Sequence, residues 1–235
     1  MPKARGRGGA RSSPSRSSSR TRAKPAGRFI TLEGGEGAGK STQIARLATA
    51  LAGAGIHVVT TREPGGSVAG ERIRKLLVEG EPGSLTPMTE ALLHFAQRAE
   101  HLDRTIRPAL AAGEWVVCDR FADSTMAYQG YGHGLGRRPM AALYRLVCGD
   151  FQPDLTLILD VPVEVGLARA ASRRGTETRY EQMDVAFHER LRRGFLDIAR
   201  REPRRCAVID TTQGIDAVTA QILKTVARRL HVEIA

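Results

Sequence analysis

Residues 34–41 read Gly34-Gly35-Glu36-Gly37-Ala38-Gly39-Lys40-Ser41, a complete G-x-x-x-x-G-K-[ST] phosphate-binding loop. Such a loop constrains the fold around it, because it works only between a strand and the first turn of a helix. Its glycines let successive N–H groups curl inward around phosphates, the helix N-terminus adds positive potential, and Lys40 supplies a charge for the outer phosphates. The setting is present. The apolar run Phe29-Ile30-Thr31-Leu32 precedes the loop, and Ile44, Leu47, Ala48 and Leu51 follow at helical spacing. The Ser41 hydroxyl is placed for the Mg²⁺ that accompanies a nucleoside triphosphate. Gly34 through Ser41, with Thr42 in the first helical turn, are the expected ATP-binding residues. The chain has only five lysines (Lys3, Lys24, Lys40, Lys75 and Lys224), and one stands where the motif demands it.

Beyond the loop, apolar runs at 29–33, 56–60, 115–118, 155–159 and 206–209 alternate with helical patterns near 40–53, 67–79, 88–112, 138–148, 162–172, 181–201 and 214–230. Continuously apolar strands separated by helices predict an α/β fold with a five-stranded parallel sheet covered on both faces. Ligands in such sheets sit at the carboxyl ends of the strands.

The composition changes sharply at about residue 28. Residues 1–28 are Arg, Ser, Gly and Pro with almost nothing apolar, which predicts a disordered tail, and residues 29–235 form the folded domain. The tail carries nine cations and no acid, so removing it from the formal +11 leaves +2 for the rest. The strong basicity therefore belongs to the tail, where it allows at most weak binding to nucleic-acid phosphates. Cys118, Cys148 and Cys206 lie mostly within apolar runs and are odd in number, which suits reduced core thiols in a cytoplasmic protein. Nothing in the chain has the length and apolarity of a membrane span.

The polar residues that follow each strand are Glu33 with the loop, then Thr61-Arg62-Glu63-Pro64-Gly65-Gly66, then Asp119-Arg120, then Asp160. A carboxylate after an apolar strand near a phosphate loop supports Mg²⁺ and its waters, and Asp119 and Asp160 both qualify beside Ser41. Arg62 and Arg120 bring two further cations to the same edge, more than one nucleotide needs. Two anionic substrates are implied, and with them transfer between phosphates.

Taken together, Thr-Arg-Glu-Pro-Gly-Gly at 61–66, Phe95-x-x-Arg98, Asp119-Arg120-Phe121 and Ser124-Thr125-Met126-Ala127-Tyr128-Gln129-Gly130 resemble bacterial thymidylate kinase over residues 29–231. The resemblance implies a P-loop NTPase fold with a small lid at about 169–180, a homodimer, and transfer of the γ-phosphoryl group of Mg-ATP to dTMP. It implies that Arg62, Glu63 and Arg120 hold the acceptor, that Arg98 meets the thymine edge, and that Ser124, Thr125 and Gln129 lie at the base with Tyr128 against the sugar. The ring expected to stack on the base is Phe95, with His94 one residue earlier as the alternative. The loop carries no Arg, so the catalytic set implied is Lys40, Arg120, Glu36 and the lid arginines Arg169 and Arg174. A phosphate acceptor is already ionised near neutral pH, so no general base is required. Two alternatives stay open: a kinase directed at another small nucleotide, and an ATPase that uses the basic tail on nucleic acid.

The tail carries charge without core-forming side chains, so deleting residues 1–26 is expected to leave turnover and thermal stability nearly unchanged. Steady-state kinetics and a melting curve on the truncated chain check this.

Overall fold

The computed structural model describes residues 27–79, 81–172 and 179–234. Most of the tail, and the segment 173–178 with Arg174, lie outside the described residues. Five parallel strands, β1 (Phe29–Glu33), β2 (Val58–Arg62), β3 (Trp115–Asp119), β4 (Leu155–Asp160) and β5 (Cys206–Asp210), stand in the order β2-β3-β1-β4-β5. The first strand is therefore the centre of the sheet, with Leu32 opposite Asp119 on one side and Glu33 opposite Ile158 on the other. Chain order departs from β1 toward both edges, so a crevice opens at its carboxyl end, where the phosphate loop begins. The sequence reading of the fold is borne out.

Alternation along the strands sorts the core into faces. Ile30, Leu32, Val117 and Leu157 pack with Leu47 and Leu51 of α1 (Lys40–Gly53) and with Ile222 and Val226 of α9 (Ile215–Leu230). On the opposite face, Phe29, Val116, Cys118 and Phe121 meet Leu102 and Ile106. A third cluster joins Ile158 to Phe187, Leu191, Phe195 and Ile198 of α8 (Val185–Arg201). All three cysteines are buried and unpaired, as expected of core thiols.

Element ends are set by caps and by partners. The Ser67 side chain caps α2 (Val68–Val78), Thr86 caps α3 (Pro87–His101) and Asp184 caps α8, each accepting the backbone N–H three residues on. The pattern at 181–201 thus starts at Val185, after its cap. The second strand runs two residues later than its apolar run, because the Ile56 N–H closes the end of α1 on the Leu51 carbonyl and the ladder with β3 continues to Arg62 opposite Asp119.

Two features depart from the expected elements. The long helix at 88–112 widens into a π turn over Leu102–Ile106 before α4 (Arg107–Ala111). Pro108 lacks an N–H and its ring crowds the carbonyl four residues back, so the wider turn keeps the helix continuous. After β3, a segment not read as helical forms α5 (Ala122–Thr125) and a π-helical turn over Met126–Gly132. The tail boundary also moves. Arg28 already belongs to the domain, its carbonyl accepting from Val116 N and its guanidinium pairing with Asp154 at 2.8 Å.

Leu157 is fully buried on a strand covered on both sides. Leu157→Ala is expected to cost about 2–5 kcal/mol, read as a lower urea midpoint with an unchanged slope.

Candidate active site

The phosphate loop owes its shape to close backbone contacts as well as to its glycines. Gly37 adopts φ 66°, and a Cβ there would stand 1.9 Å from the carbonyl oxygen of Gly166 on α7 (Val163–Ala171). The loop is thereby seated on α7 where no side chain fits. Lys40 lies back across it, donating to the Gly34 and Gly35 carbonyls at 3.2 and 2.9 Å. Burial, and after it the nearby Arg120 charge, pull the Lys40 ammonium down to about 8.

Arg120 ties the end of β3 to this loop. It has a positive φ of 67°, rare for a residue with a side chain, which turns the chain sharply after Asp119. Its Nη1 donates to Gly34 O at 2.8 Å and to Ser124 Oγ at 3.2 Å, and its Nη2 to Glu36 Oε1 at 3.0 Å. Tyr128 donates its hydroxyl to the same Glu36 oxygen, and its ring lies 5.0 Å from the Arg120 guanidinium. Burial would raise the Glu36 carboxyl, but the charges of Arg120 and Lys40 outweigh it and hold it down at about 2. Tyr128 is in turn locked edge-on against Tyr180, Phe187 and Phe195.

A second carboxylate, unassigned from sequence, braces the same turn from beneath. Glu33, fully buried at the end of β1, accepts the Phe121 N–H at 2.8 Å, and its Oε2 lies 2.5 Å from Ser124 Oγ. Burial first, then the charge of Asp123, push its carboxyl up to about 8. The signal for it was a carboxylate ending a strand that is apolar but for Thr31.

Of the two carboxylates offered for the metal, Asp119 is the one that meets the loop. Ser41 Oγ donates to Asp119 Oδ2 at 3.4 Å, and Asp119 Oδ1 is buried with no partner among the described residues. Asp160 stands on the other side of β1, and both its oxygens are gripped by Arg192 at 2.8 and 2.9 Å. No cluster of three or more metal-ligating side chains occurs among the described residues. One hydroxyl with one free carboxylate oxygen nevertheless suits Mg²⁺, which takes few protein ligands and completes its shell with phosphates and water.

A cavity of about 260 Å³ opens from the loop toward α3. Arg62, Glu63, His94, Arg98, Thr125, Tyr128 and Gln129 line it together with Glu36 through Ser41, Arg120 and Ser124. Arg62 reaches it from the end of β2, exposed and paired with Glu71 at 2.9 Å. Arg98 is 1% exposed and fixed on three sides. It pairs with Glu63 at 2.8 Å, its Nη2 donates to Thr125 Oγ1 at 2.9 Å, and its guanidinium lies against the Phe95 and Phe121 rings. Its Nη1 finds no partner among the described residues, and neither does Gln129 Oε1. Glu63 acts behind Arg98: it binds His101 Nδ1 at 3.0 Å with its other oxygen, and His101 Nε2 lies 2.7 Å from Thr61 Oγ1. Burial would raise the Glu63 carboxyl, but Arg98 and His101 hold it below its ordinary value.

Three expected residues sit elsewhere. Phe95 does not line the cavity; its ring is buried beneath Arg98, with the guanidinium 4.7 Å from its centroid. His94, one residue earlier on the helix, faces the cavity instead, and burial followed by the Arg98 charge holds its imidazole neutral, down at about 3. Arg169 donates to the Thr211 carbonyl at 3.0 Å, beyond the end of β5. Arg179, which falls within the stretch expected as a lid at about 169–180, is instead buried in an ion pair with Glu90 and donates to the Leu77 carbonyl.

Residues 32–222 match the family model described as Thymidylate kinase. The chain belongs to the thymidylate kinase family. A thymidylate kinase from Caulobacter vibrioides is 57% identical over 204 residues, covering 87% of this chain and 98% of that protein. One from Magnetococcus marinus is 50% identical, covering 88% and 98%. A crystal structure of thymidylate kinase from Ehrlichia chaffeensis superposes with a TM-score of 0.71 at 37% identity, covering 86% of this chain and all of that one. The thymidylate kinase resemblance carried by the motifs at 61–66, 95–98 and 119–130 is thereby borne out.

The Glu33 position predicts a pH effect. Its folded pKa is raised above the 4.5 of an ordinary Glu to about 8, so the stability it contributes is full below pH 4.5 and is lost as pH rises through 8. Glu33→Gln, permanently neutral, is expected to flatten the fall in melting temperature between pH 5 and pH 8. Melts at the two values in parent and variant check it.

Proposed function

We propose that the chain transfers the γ-phosphoryl group of ATP to dTMP, giving ADP and dTDP, with dTMP in the cavity between the phosphate loop and α3. The observation that carries this reading is a pair of buried, unpartnered polar atoms in the cavity lining, Arg98 Nη1 and Gln129 Oε1. One is a donor and the other an acceptor, the complement of thymine's O4 and N3–H. Cytosine presents the reverse at both positions, and leaving such groups unpaired in a desolvated site is a strong source of rejection. His94, aromatic and neutral, is the ring we assign to the face of the base, in place of Phe95.

The acceptor phosphate falls to Arg62 and Arg120, and the triphosphate to the loop amides and Lys40. Arg120, bonded to Gly34 and Glu36, is positioned between donor and acceptor, where it neutralises charge on the transferred group. Glu36, held ionised, takes no proton from the acceptor, consistent with a reaction that needs no general base. Tyr128 keeps Glu36 in place and walls the sugar side. Ser41 and Asp119 would hold Mg²⁺, which when bound screens the β- and γ-phosphate charge. Arg174 remains the lid cation assigned to the transferred phosphoryl group, while Arg169, bonded to the Thr211 carbonyl, is not given that role.

We further assign a homodimer, supported by the exposed Leu76, Met88, Leu92 and Leu146 on α2, α3 and α6 (Arg137–Cys148). A cytoplasmic setting is supported by the unpaired buried cysteines.

Turnover with Mg-ATP across the common nucleoside monophosphates tests the reading. dTMP is expected to be the best acceptor by at least tenfold, and Lys40→Ala to lose on the order of 10²–10³ in kcat while keeping its melting temperature. A preference for another monophosphate, or undiminished turnover in Lys40→Ala, would sink it.

A further inference from the structure

The carboxylate of Glu90 on α3 takes no part in the transfer chemistry, yet four side chains converge on it. Arg179 pairs with one oxygen. The other accepts from Gln129 Nε2 at 3.0 Å and from the Tyr180 hydroxyl at 3.2 Å, and His133 Nε2 lies 3.2 Å from it. Glu90 is 2% exposed and Gln129 is fully buried. Burial alone would raise the Glu90 carboxyl, but the adjacent His133 and Gln129 side chains and the Arg179 guanidinium outweigh it and hold it below its ordinary value, so the group stays ionised.

An ionised carboxylate accepts hydrogen bonds and donates none. The end of the Gln129 amide that faces Glu90 must therefore be its NH₂, which also donates to Tyr180 at 3.3 Å. The carbonyl end is left as the unpartnered acceptor. A freely turning amide would offer the nucleobase a donor as readily as an acceptor. The ring N3 is a donor in thymine and an acceptor in cytosine, so the sense of this one amide separates the two.

We propose that Glu90 is a specificity-determining positioning residue: by accepting from Gln129 Nε2 it locks the amide with its carbonyl presented to the base, so that the site favours a ring bearing N3–H over one with a bare N3. The inference rests on Gln129 as a base-edge residue in the function proposed above. Glu90 touches no substrate and acts through Gln129. A glutamine at position 90 donates as well as accepts, which makes both senses of the Gln129 amide available.

The test is kcat/KM for dTMP and for dCMP in Glu90→Gln. The dTMP:dCMP ratio is expected to fall about tenfold, chiefly through a higher KM for dTMP, as one buried hydrogen bond becomes mismatched. A purely structural role would lower both substrates alike. Arg179→Lys disturbs the packing around Glu90 but keeps its cationic partner and spares its bond to Gln129, and is expected to keep the parent ratio. An unchanged ratio in Glu90→Gln, or an equal fall in Arg179→Lys, overturns the proposal. If Glu90→Gln alone does not fold, the Glu90→Gln/Arg179→Met pair, which leaves neither of these two charges buried alone, carries the same comparison. Gln129→Leu separates the layers. If it keeps the parent ratio, Gln129 does not read the base. If it lowers the ratio while Glu90→Gln does not, only the role of Glu90 fails.

Discussion

The site depends on a crossed pair of side chains between the carboxyl ends of two adjacent strands. Glu33, ending β1, reaches across to the Phe121 N–H and Ser124, while Arg120, following β3, reaches back to Gly34 and Glu36. Each brace holds the other element's loop. The phosphate loop and the helix bearing Ser124, Thr125, Tyr128 and Gln129 thus form one rigid frame. Phosphoryl transfer asks little of a protein besides positioning and charge, so rigidity between these two loops is the main requirement. The left-handed backbone at Arg120 lets its side chain turn back over the phosphate loop.

Around α3, the same logic operates with buried charge. Arg98 and Glu63, and Arg179 and Glu90, form two ion pairs within the core. Such pairs add little net stability, and removing one partner commonly costs about 3–5 kcal/mol because the other is left stranded. Their use here is orientation. Glu63 and Thr125 fix Arg98 with its Nη1 unpartnered among the described residues, and Glu90 fixes Gln129 with its Oε1 likewise unpartnered. Charges that would be wasteful in an ordinary core give Arg98 and Gln129 their direction.

Much of this was legible in the chain. The five strands were, because buried parallel strands read as continuous apolar runs. The loop was, because its glycines and Lys40 are required by backbone geometry and phosphate charge. Arg62 and Arg120 were nominated from their places at strand ends, and Arg98, Thr125 and Gln129 from the family resemblance, and the cavity gathers all of them. The helical character of 122–132 was less visible: Ser124 with Tyr128, and Thr125 with Gln129, do stand at i, i+4, but the segment lacks an ordinary amphipathic stripe.

What the sequence by itself determined is whatever local chemistry dictates: strand and helix content, caps at Ser67, Thr86 and Asp184, and the residues able to bind phosphate. What only the tertiary structure decided is which of several equivalent groups meets the site. Asp119 and Asp160 end strands in the same way, yet strand order sets Asp119 beside Ser41 and leaves Asp160 to Arg192. His94 and Phe95 are neighbours on one helix, yet Phe95 is buried with the Arg98 guanidinium over its ring, and His94 is the one left at the cavity. Arg179 falls within the stretch expected as a lid, yet it is buried against Glu90. The reason is common to all three. Partners such as Asp160 with Arg192 or Glu90 with Arg179 are 32 and 89 residues apart, and nothing in local propensity encodes a pairing at that separation.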